Sequence, residues 1–223
     1  MPEVRDHEVV YRFRLENGDE VRFDVRIDRP GATAGDGLPA WTALEQNRCP
    51  HCPLPTTPGA VCPAAADLVP VISRFSALAS FVRADVSVTS PEREVRKQTD
   101  VQTALSGLMG LILASSGCPI LRRLRPLAQT HLPFTPQSET LYRVAAMHLF
   151  GCFLRGEPAS LDGLRQFFSD LDRLDHAFAE RLRVAAEKDA SLNALLMLHT
   201  RALMVSLSLD EGLKQIRAWF DAQ

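Results

Sequence analysis

The chain has 223 residues, of which 46% are hydrophobic and 23% charged, the composition of an ordinary globular protein. Its net charge of −2 leaves no basic surface for nucleic acid or an anionic membrane, and no apolar run approaches the roughly 18 residues that span a bilayer. The first residues lack the apolar stretch of a signal peptide, so we expect a cytoplasmic protein with neither nucleic-acid nor membrane partners.

The chain begins with two runs that alternate between apolar and charged residues. They cover residues 11–15 and 21–27, and Asn17-Gly18 lies between them. Alternation predicts strands with one buried face, and Asn-Gly is typical of a tight hairpin turn with positive φ at both residues. The sequence therefore predicts an antiparallel hairpin.

Residues 40–46 predict about two helical turns, and residues 48–63 carry five prolines and predict an irregular loop. A helix is expected over residues 67–83, with Asp67 as its N-cap. Residues 85–98 alternate weakly and predict a second hairpin. Beside the first, it would give a sheet of about four strands.

From residue 99 onward the pattern is helical. A capping-box sequence begins at Thr99, and Cys118 is the expected N-cap of a short helix that ends at Ala128. Four helices should follow from Ser138, with breaks near residues 156–158, 188–191 and 210–212. Short connections favour antiparallel packing of these helices.

The predicted fold class is α+β and mostly α. Its small antiparallel sheet, formed by two hairpins, would pack against a C-terminal antiparallel helical bundle. Residues 1–98 would form the sheet and the proline-rich loop, and residues 99–223 the helical region, together making one continuous globular unit.

Four of the five cysteines are followed by proline: Cys49, Cys52, Cys62 and Cys118. A CxxC pair can hold one metal ion in a tight turn, and two further thiolates would complete a tetrahedral shell. An ion would also hold the irregular loop, and a helix N-terminus would favour the Cys118 thiolate. We therefore expect these four residues to bind metal; the alternative is four buried thiols that act as small hydrophobic residues.

Zinc is the expected metal, and an iron–sulfur cluster is the alternative, since Cys-Pro also ends bacterial ferredoxin cluster motifs. Residues 49–52 also match the CPHC redox motif of thioredoxin-like oxidases. That motif follows a strand and opens a helix, whereas Pro53 and Pro55 block a helix here. Thiol–disulfide catalysis is therefore disfavoured.

Two histidines and a small cationic cluster are further candidates. His51 and His131 could support the metal from outside its ligand shell, although a solvent-facing His51 is the simpler expectation. Arg93, Arg96 and Lys97 precede a predicted helix N-terminus and could bind an anion or a nucleotide. Charges on an exposed hairpin are, however, usually just solvated.

Three segments together resemble an uncharacterised bacterial protein family: a CPxCPL motif at residues 49–54, an SGCP motif at residues 116–119 and an HLPF-like segment at residues 131–134. The resemblance implies a shared fold and cysteine set, and it carries no catalytic residue across.

The leading functional hypothesis is a metal-stabilised binding or regulatory module without evident catalysis. An iron–sulfur redox protein and an anion- or nucleotide-binding domain are the alternatives. The C-terminal helices could support a homo-oligomer, and the sequence identifies no other partner.

Overall fold

The computed structural model describes residues 6–28, 37–185, 190–196 and 209–221. Four strands, β1 (Glu8–Leu15), β2 (Glu20–Arg26), β3 (Arg83–Thr89) and β4 (Glu94–Asp100), form one antiparallel sheet in the order β2-β1-β3-β4. Both predicted hairpins are present, and β1 pairs with β3 to join them. The expectation of about four strands is confirmed.

The turn of the first hairpin differs from the prediction at one residue. Gly18 adopts a φ of 88°, but Asn17 is not among the residues with positive φ in the described chain. Instead, the Asn17 side chain accepts a hydrogen bond of 3.0 Å from the backbone amide of Asp19. The turn therefore spans residues 16–19 and needs left-handed backbone only at the glycine.

Seven α-helices fall within the described residues, so the predicted α+β, mostly helical class is confirmed. They are α1 (Pro63–Phe75), α2 (Val101–Ala114), α3 (Arg125–Gln129), α4 (Gln137–Leu154), α5 (Asp162–Ala185), α6 (residues 190–196) and α7 (Leu209–Asp221). The predicted break near residues 210–212 is wrong, because α7 runs through it. The break near residues 188–191 falls partly outside the described residues.

Helix α1 begins four residues before its predicted N-cap. Cys62 is the N-cap, Pro63 occupies the first helical position, and Asp67 lies inside the helix. Proline is favoured at this position because its φ is already helical and its missing N–H would have no partner there. Pro70 therefore lies inside α1, beyond its first turn.

Helices α1 and α2 cover the apolar face of the sheet. The Phe75 ring of α1 lies 5.1 Å from that of Phe13 on β1, and Gly107 of α2 lies against the Tyr11 hydroxyl. The Asp100 side chain, rather than that of Thr99, caps α2 by accepting a 2.8 Å hydrogen bond from Thr103. These two helices form a layer on the sheet, and α2 belongs to the helical region predicted from residue 99 onward.

One cluster of buried residues connects the sheet with the helices. It extends from Val9 on β1 to Ile216 on α7 and includes side chains from α1, α2, α4 and α5. Among the described residues, no helix combines the length and apolar content needed to cross a membrane.

Candidate metal centre

The proline-rich loop is closed at its base by backbone pairing. Only Ala40–Thr42 of the predicted helical turns is helical, as a 3-10 turn, because Ala43 then bridges Val61 and Leu44 donates a 2.8 Å hydrogen bond to the Ala60 carbonyl. The two ends of the loop are therefore paired with each other, and this pairing brings the loop cysteines towards the N-terminus of α1.

Cys49 and Cys52 occupy a tight turn that Arg48 braces. The Cys52 amide donates to the Cys49 carbonyl at 3.0 Å, and both residues are half-buried. The Arg48 guanidinium donates to the carbonyls of Cys52 and Leu54 at 3.0 and 2.7 Å. Sequence reasoning missed Arg48, whose only signal was its position directly before the CxxC motif.

Cys62 and Cys118 each lie at the start of a helical turn. Burial raises the pKa of both thiols, and the nearby backbone amides of residues 64 and 65 (for Cys62) and 120 and 121 (for Cys118) partly offset this effect. The amides at the start of a helical turn therefore favour the thiolate form. A 3-10 turn, Leu121–Leu124, separates Cys118 from α3, so the single short helix expected there is divided in two.

The four thiols influence one another electrostatically. Burial, followed by the negative charge on the other three cysteines, raises the pKa of Cys49 to about 12. Burial is also the main cause that raises the pKa of Cys62 and of Cys118. Ionising one thiol therefore opposes ionising its neighbours, unless a cation lies among them.

Arg181 of α5 brings a buried positive charge to this cluster. The residue is only 2% exposed, and its guanidinium donates to the carbonyls of Trp41 and Ala43 at 2.6 and 2.7 Å. It has no carboxylate partner in the described chain, and its Nε has no hydrogen-bond partner there. Burial lowers the pKa of Arg181, whereas negative charge on Cys62, Cys49 and Cys52 would raise it.

The sequence contained a signal for Arg181 that was not used. The residue lies seven positions after Leu174 and three after Phe178, so it continues the apolar stripe of α5. An arginine on a buried stripe needs polar partners inside the protein, and here these are the carbonyls beside the cysteine loop.

The prediction that His51 faces solvent is wrong. Both ring nitrogens are buried, and neither has a hydrogen-bond partner among the described residues. The imidazole therefore lies inside the loop with its polar atoms unpaired, a costly arrangement that a ligand or a water molecule would relieve. Support of a metal by His51 stays a prediction.

His131 lies beside Tyr11. Its Nε2 is 2.7 Å from the Tyr11 hydroxyl oxygen, and burial together with the nearby Arg143 charge lowers the pKa of His131 to about 4. The described partner of this imidazole is thus a tyrosine rather than a cysteine. Support of a metal by His131 also stays a prediction.

The three cationic candidates do not converge on one pocket. Arg96 pairs with Glu94 at 2.6 Å and is mostly exposed. Lys97 aligns with buried Val86 on the opposite face of the sheet, where its ammonium lies 5.5 Å from the Phe134 ring centroid, and Arg93 lies in the turn between β3 and β4. Arg96 and Lys97 line one surface cleft on the sheet, and Arg93 lines another. Anion or nucleotide binding by these residues stays a prediction.

The cysteine cluster is not an assembled coordination shell as its side chains stand. Across the described ranges, no group of three or more histidine, cysteine, aspartate or glutamate residues is placed so that it could hold a metal ion. All five cysteines are free thiols. The centre is therefore a group of reduced thiols whose charges influence one another. Backbone amides and the Arg181 guanidinium also act on these thiols electrostatically.

Fold and site together define an α+β protein in which a cysteine loop meets the start of two helical segments. A family model described as a domain of unknown function, DUF6901, matches residues 9–221, and the chain belongs to this family. The match agrees with the predicted uncharacterised family and does not address its motifs or a bacterial source. Searches of curated proteins and of solved structures find no match.

Proposed function

We propose that Cys49, Cys52, Cys62 and Cys118 bind one zinc ion, which fixes the proline-rich loop to the helical body of a cytoplasmic, non-catalytic binding or regulatory domain. The observation that carries the proposal is that free thiols from three stretches of the chain come together beside one buried guanidinium. A closed four-thiolate zinc site has no open position for a substrate, so its role would be structural.

Charge balance supports the same assignment. Zinc with four thiolates has a formal charge of about −2, and Arg181 would offset part of it at the edge of the cluster. The backbone amides near Cys62 and Cys118 would stabilise their thiolates further. Without a cation, Cys49, Cys62 and Cys118 are held neutral, because burial raises their pKa values.

Binding would have to draw the thiol side chains inward, because their present placement forms no complete ligand set. Metal binding and local ordering are commonly coupled in this way, since ligands are deprotonated and positioned only when the ion arrives. The half-buried Cys49 and Cys52, on a loop, would make most of this adjustment.

Metal analysis of protein purified without air tests the proposal. We expect one zinc per chain, loss of the metal in Cys49→Ser and Cys118→Ser, and a lower melting temperature after chelation. Cys152→Ser is the matched control, because Cys152 is a buried free thiol on α4 beside His148, and it should leave the zinc content unchanged.

Two outcomes would overturn the zinc assignment. Iron with acid-labile sulfide in place of zinc would assign the four cysteines to an iron–sulfur cluster and the protein to redox chemistry. No metal after growth in zinc, with the same melting temperature for the wild type, Cys49→Ser and Cys118→Ser, would leave the thiols as ordinary core residues.

A further inference from the structure

A cavity of about 230 Å³ lies among the helices. Most of its wall is aliphatic or aromatic, with Gly110 of α2, Val144 of α4, Phe168 and Leu171 of α5, and Leu195 of α6 among its residues. An apolar cavity of about 150 Å³ accepts a benzene-sized molecule. This one therefore has room for about nine non-hydrogen atoms.

Arg143 of α4 places a cation in this mainly apolar wall. Its guanidinium donates to the backbone carbonyl and, at 3.2 Å, to the hydroxyl of Thr130. Burial lowers the pKa of Arg143, and the charge of the nearby Glu139 carboxylate opposes this effect. Asp175 also lines the cavity, but it already takes part in a polar or electrostatic interaction of its own. Arg143 is thus the lining charge available to an anionic ligand.

His131 provides a second donor in the same wall. The fully buried Tyr11 hydroxyl lies 2.7 Å from Nε2, and the tautomer of the imidazole decides which of the two donates. In the neutral tautomer that accepts from Tyr11 at Nε2, the ring carries its own proton on Nδ1. The Thr135 and Thr140 hydroxyls already bond each other at 2.9 Å, so in that tautomer Nδ1–H and Arg143 are the donors that remain.

We propose that this cavity binds a small apolar carboxylic acid, with its hydrocarbon part among α2, α4, α5 and α6 and its carboxylate on Arg143 and His131. Aliphatic walls select the apolar body by the area that they remove from water. One guanidinium and one neutral N–H suit a single carboxylate, whereas a phosphate would leave charge unpaired. The site is separate from the cysteine cluster and does not depend on its metal.

Titration calorimetry with straight-chain acids from hexanoate to dodecanoate tests this inference. We expect saturable binding that is tightest near octanoate, which has ten non-hydrogen atoms, and weaker for dodecanoate, which exceeds the cavity. Octylamine should not bind. Arg143→Met should weaken octanoate binding about tenfold to a hundredfold and leave binding of octanol almost unchanged, because only the charge-assisted hydrogen bond is lost.

Two further variants separate the cavity from a general effect of charge or hydrophobicity. Arg122→Met removes an exposed arginine and should keep wild-type affinity. Gly110→Met should fill the cavity and abolish octanoate binding while the protein still unfolds cooperatively. Affinity that keeps rising with chain length, or equal octanoate affinity in wild type and Arg143→Met, would overturn the proposal, whatever the zinc content.

Discussion

At the scale of single residues, burial and a nearby cation determine the charge of the His131 imidazole, which lies beside Tyr11. The ring sits among groups that cannot hydrate a positive charge, and Arg143 lies near it. Both effects favour the neutral form, so the pKa of His131 falls to about 4 from an ordinary value near 6.5. The folded protein therefore takes up this proton only in strong acid.

This lowered pKa predicts a loss of stability in acid. Between about pH 6.5 and pH 4 the unfolded chain binds a proton at His131 and the folded chain does not, so the free energy of unfolding falls as the pH falls. The full effect is about 3 kcal/mol. Denaturant unfolding at several pH values should give a shallower slope for His131→Gln than for wild type.

The outcome that would contradict this prediction is the same pH slope for both proteins. A constant offset between them would mean only that the Tyr11 hydrogen bond had been weakened. The comparison of slopes cancels contributions from carboxylates that both proteins share.

Part of the candidate site could be predicted from the sequence. The spacing and the proline neighbours indicated the four cysteines, because that signal is local. The positions of Arg181 and His51 depend on how α5 and the loop pack, and a sequence pattern does not show which carbonyls a buried arginine reaches. Arg181 meets the loop about 140 residues away in sequence, a contact that only the tertiary fold creates.

At the scale of elements, two glycines inside helices have unlike surroundings. A Cβ atom at Gly107 of α2 would lie 3.0 Å from the Tyr11 hydroxyl oxygen, which is buried and fixed by His131. A Cβ atom at Gly151 of α4 would lie 3.1 Å from an end nitrogen of Arg155, a flexible and largely exposed side chain. The same substitution should therefore have opposite effects.

We expect Gly107→Ala to destabilise the protein by about 1–2 kcal/mol, because the clash outweighs the better helix propensity of alanine. Gly151→Ala should be neutral or stabilise it by up to about 1 kcal/mol, because Arg155 can move aside. Chemical denaturation of the two variants beside wild type measures both effects. Equal changes in the free energy of unfolding would mean that the Tyr11 side chain can also move away from the added methyl group at no cost.

The sequence predicted the strands more accurately than the helix boundaries. Alternation predicted the first hairpin directly and the second more weakly, since β4 is mostly exposed, and the structure pairs all four runs as antiparallel strands. The start of α1 was misplaced because Asp67 is a common N-cap residue, whereas a cysteine before proline gave no comparable signal. Cys62 takes the N-cap position without a side-chain cap hydrogen bond, and Pro63 at the first helical position marks the start of the helix.

At the scale of the whole molecule, Arg181 connects the C-terminal helices to the segment before the loop. Its guanidinium donates to the carbonyls of Trp41 and Ala43, which lie 140 and 138 residues before it in the sequence. Without this side chain, the Trp41 carbonyl would lose this donor, whereas the Ala43 carbonyl would keep the Gln46 amide at 3.1 Å. The contact thus fastens α5 over the base of the cysteine loop.

Arg181→Met should lower the free energy of unfolding by about 2 kcal/mol, since it removes the hydrogen bond to the Trp41 carbonyl and one of the two at the Ala43 carbonyl. Arg183→Met is the control: this exposed residue pairs only with Glu180 one turn away, and its loss should change stability by no more than about 0.5 kcal/mol. Guanidinium chloride unfolding measures both. A loss of similar size in the two variants would show that Arg181 does not fasten the loop.

The order of the sheet has a consequence for how copies of this protein meet in concentrated solution. The outer strands, β2 and β4, alternate charged residues along their length, including Arg22 and Asp24 on one and Glu94 and Arg96 on the other. A second chain adding itself as a fifth strand would have to strip water from these charges. Addition of a second chain to the sheet, the first step towards a fibril, is therefore disfavoured at both edges of the sheet.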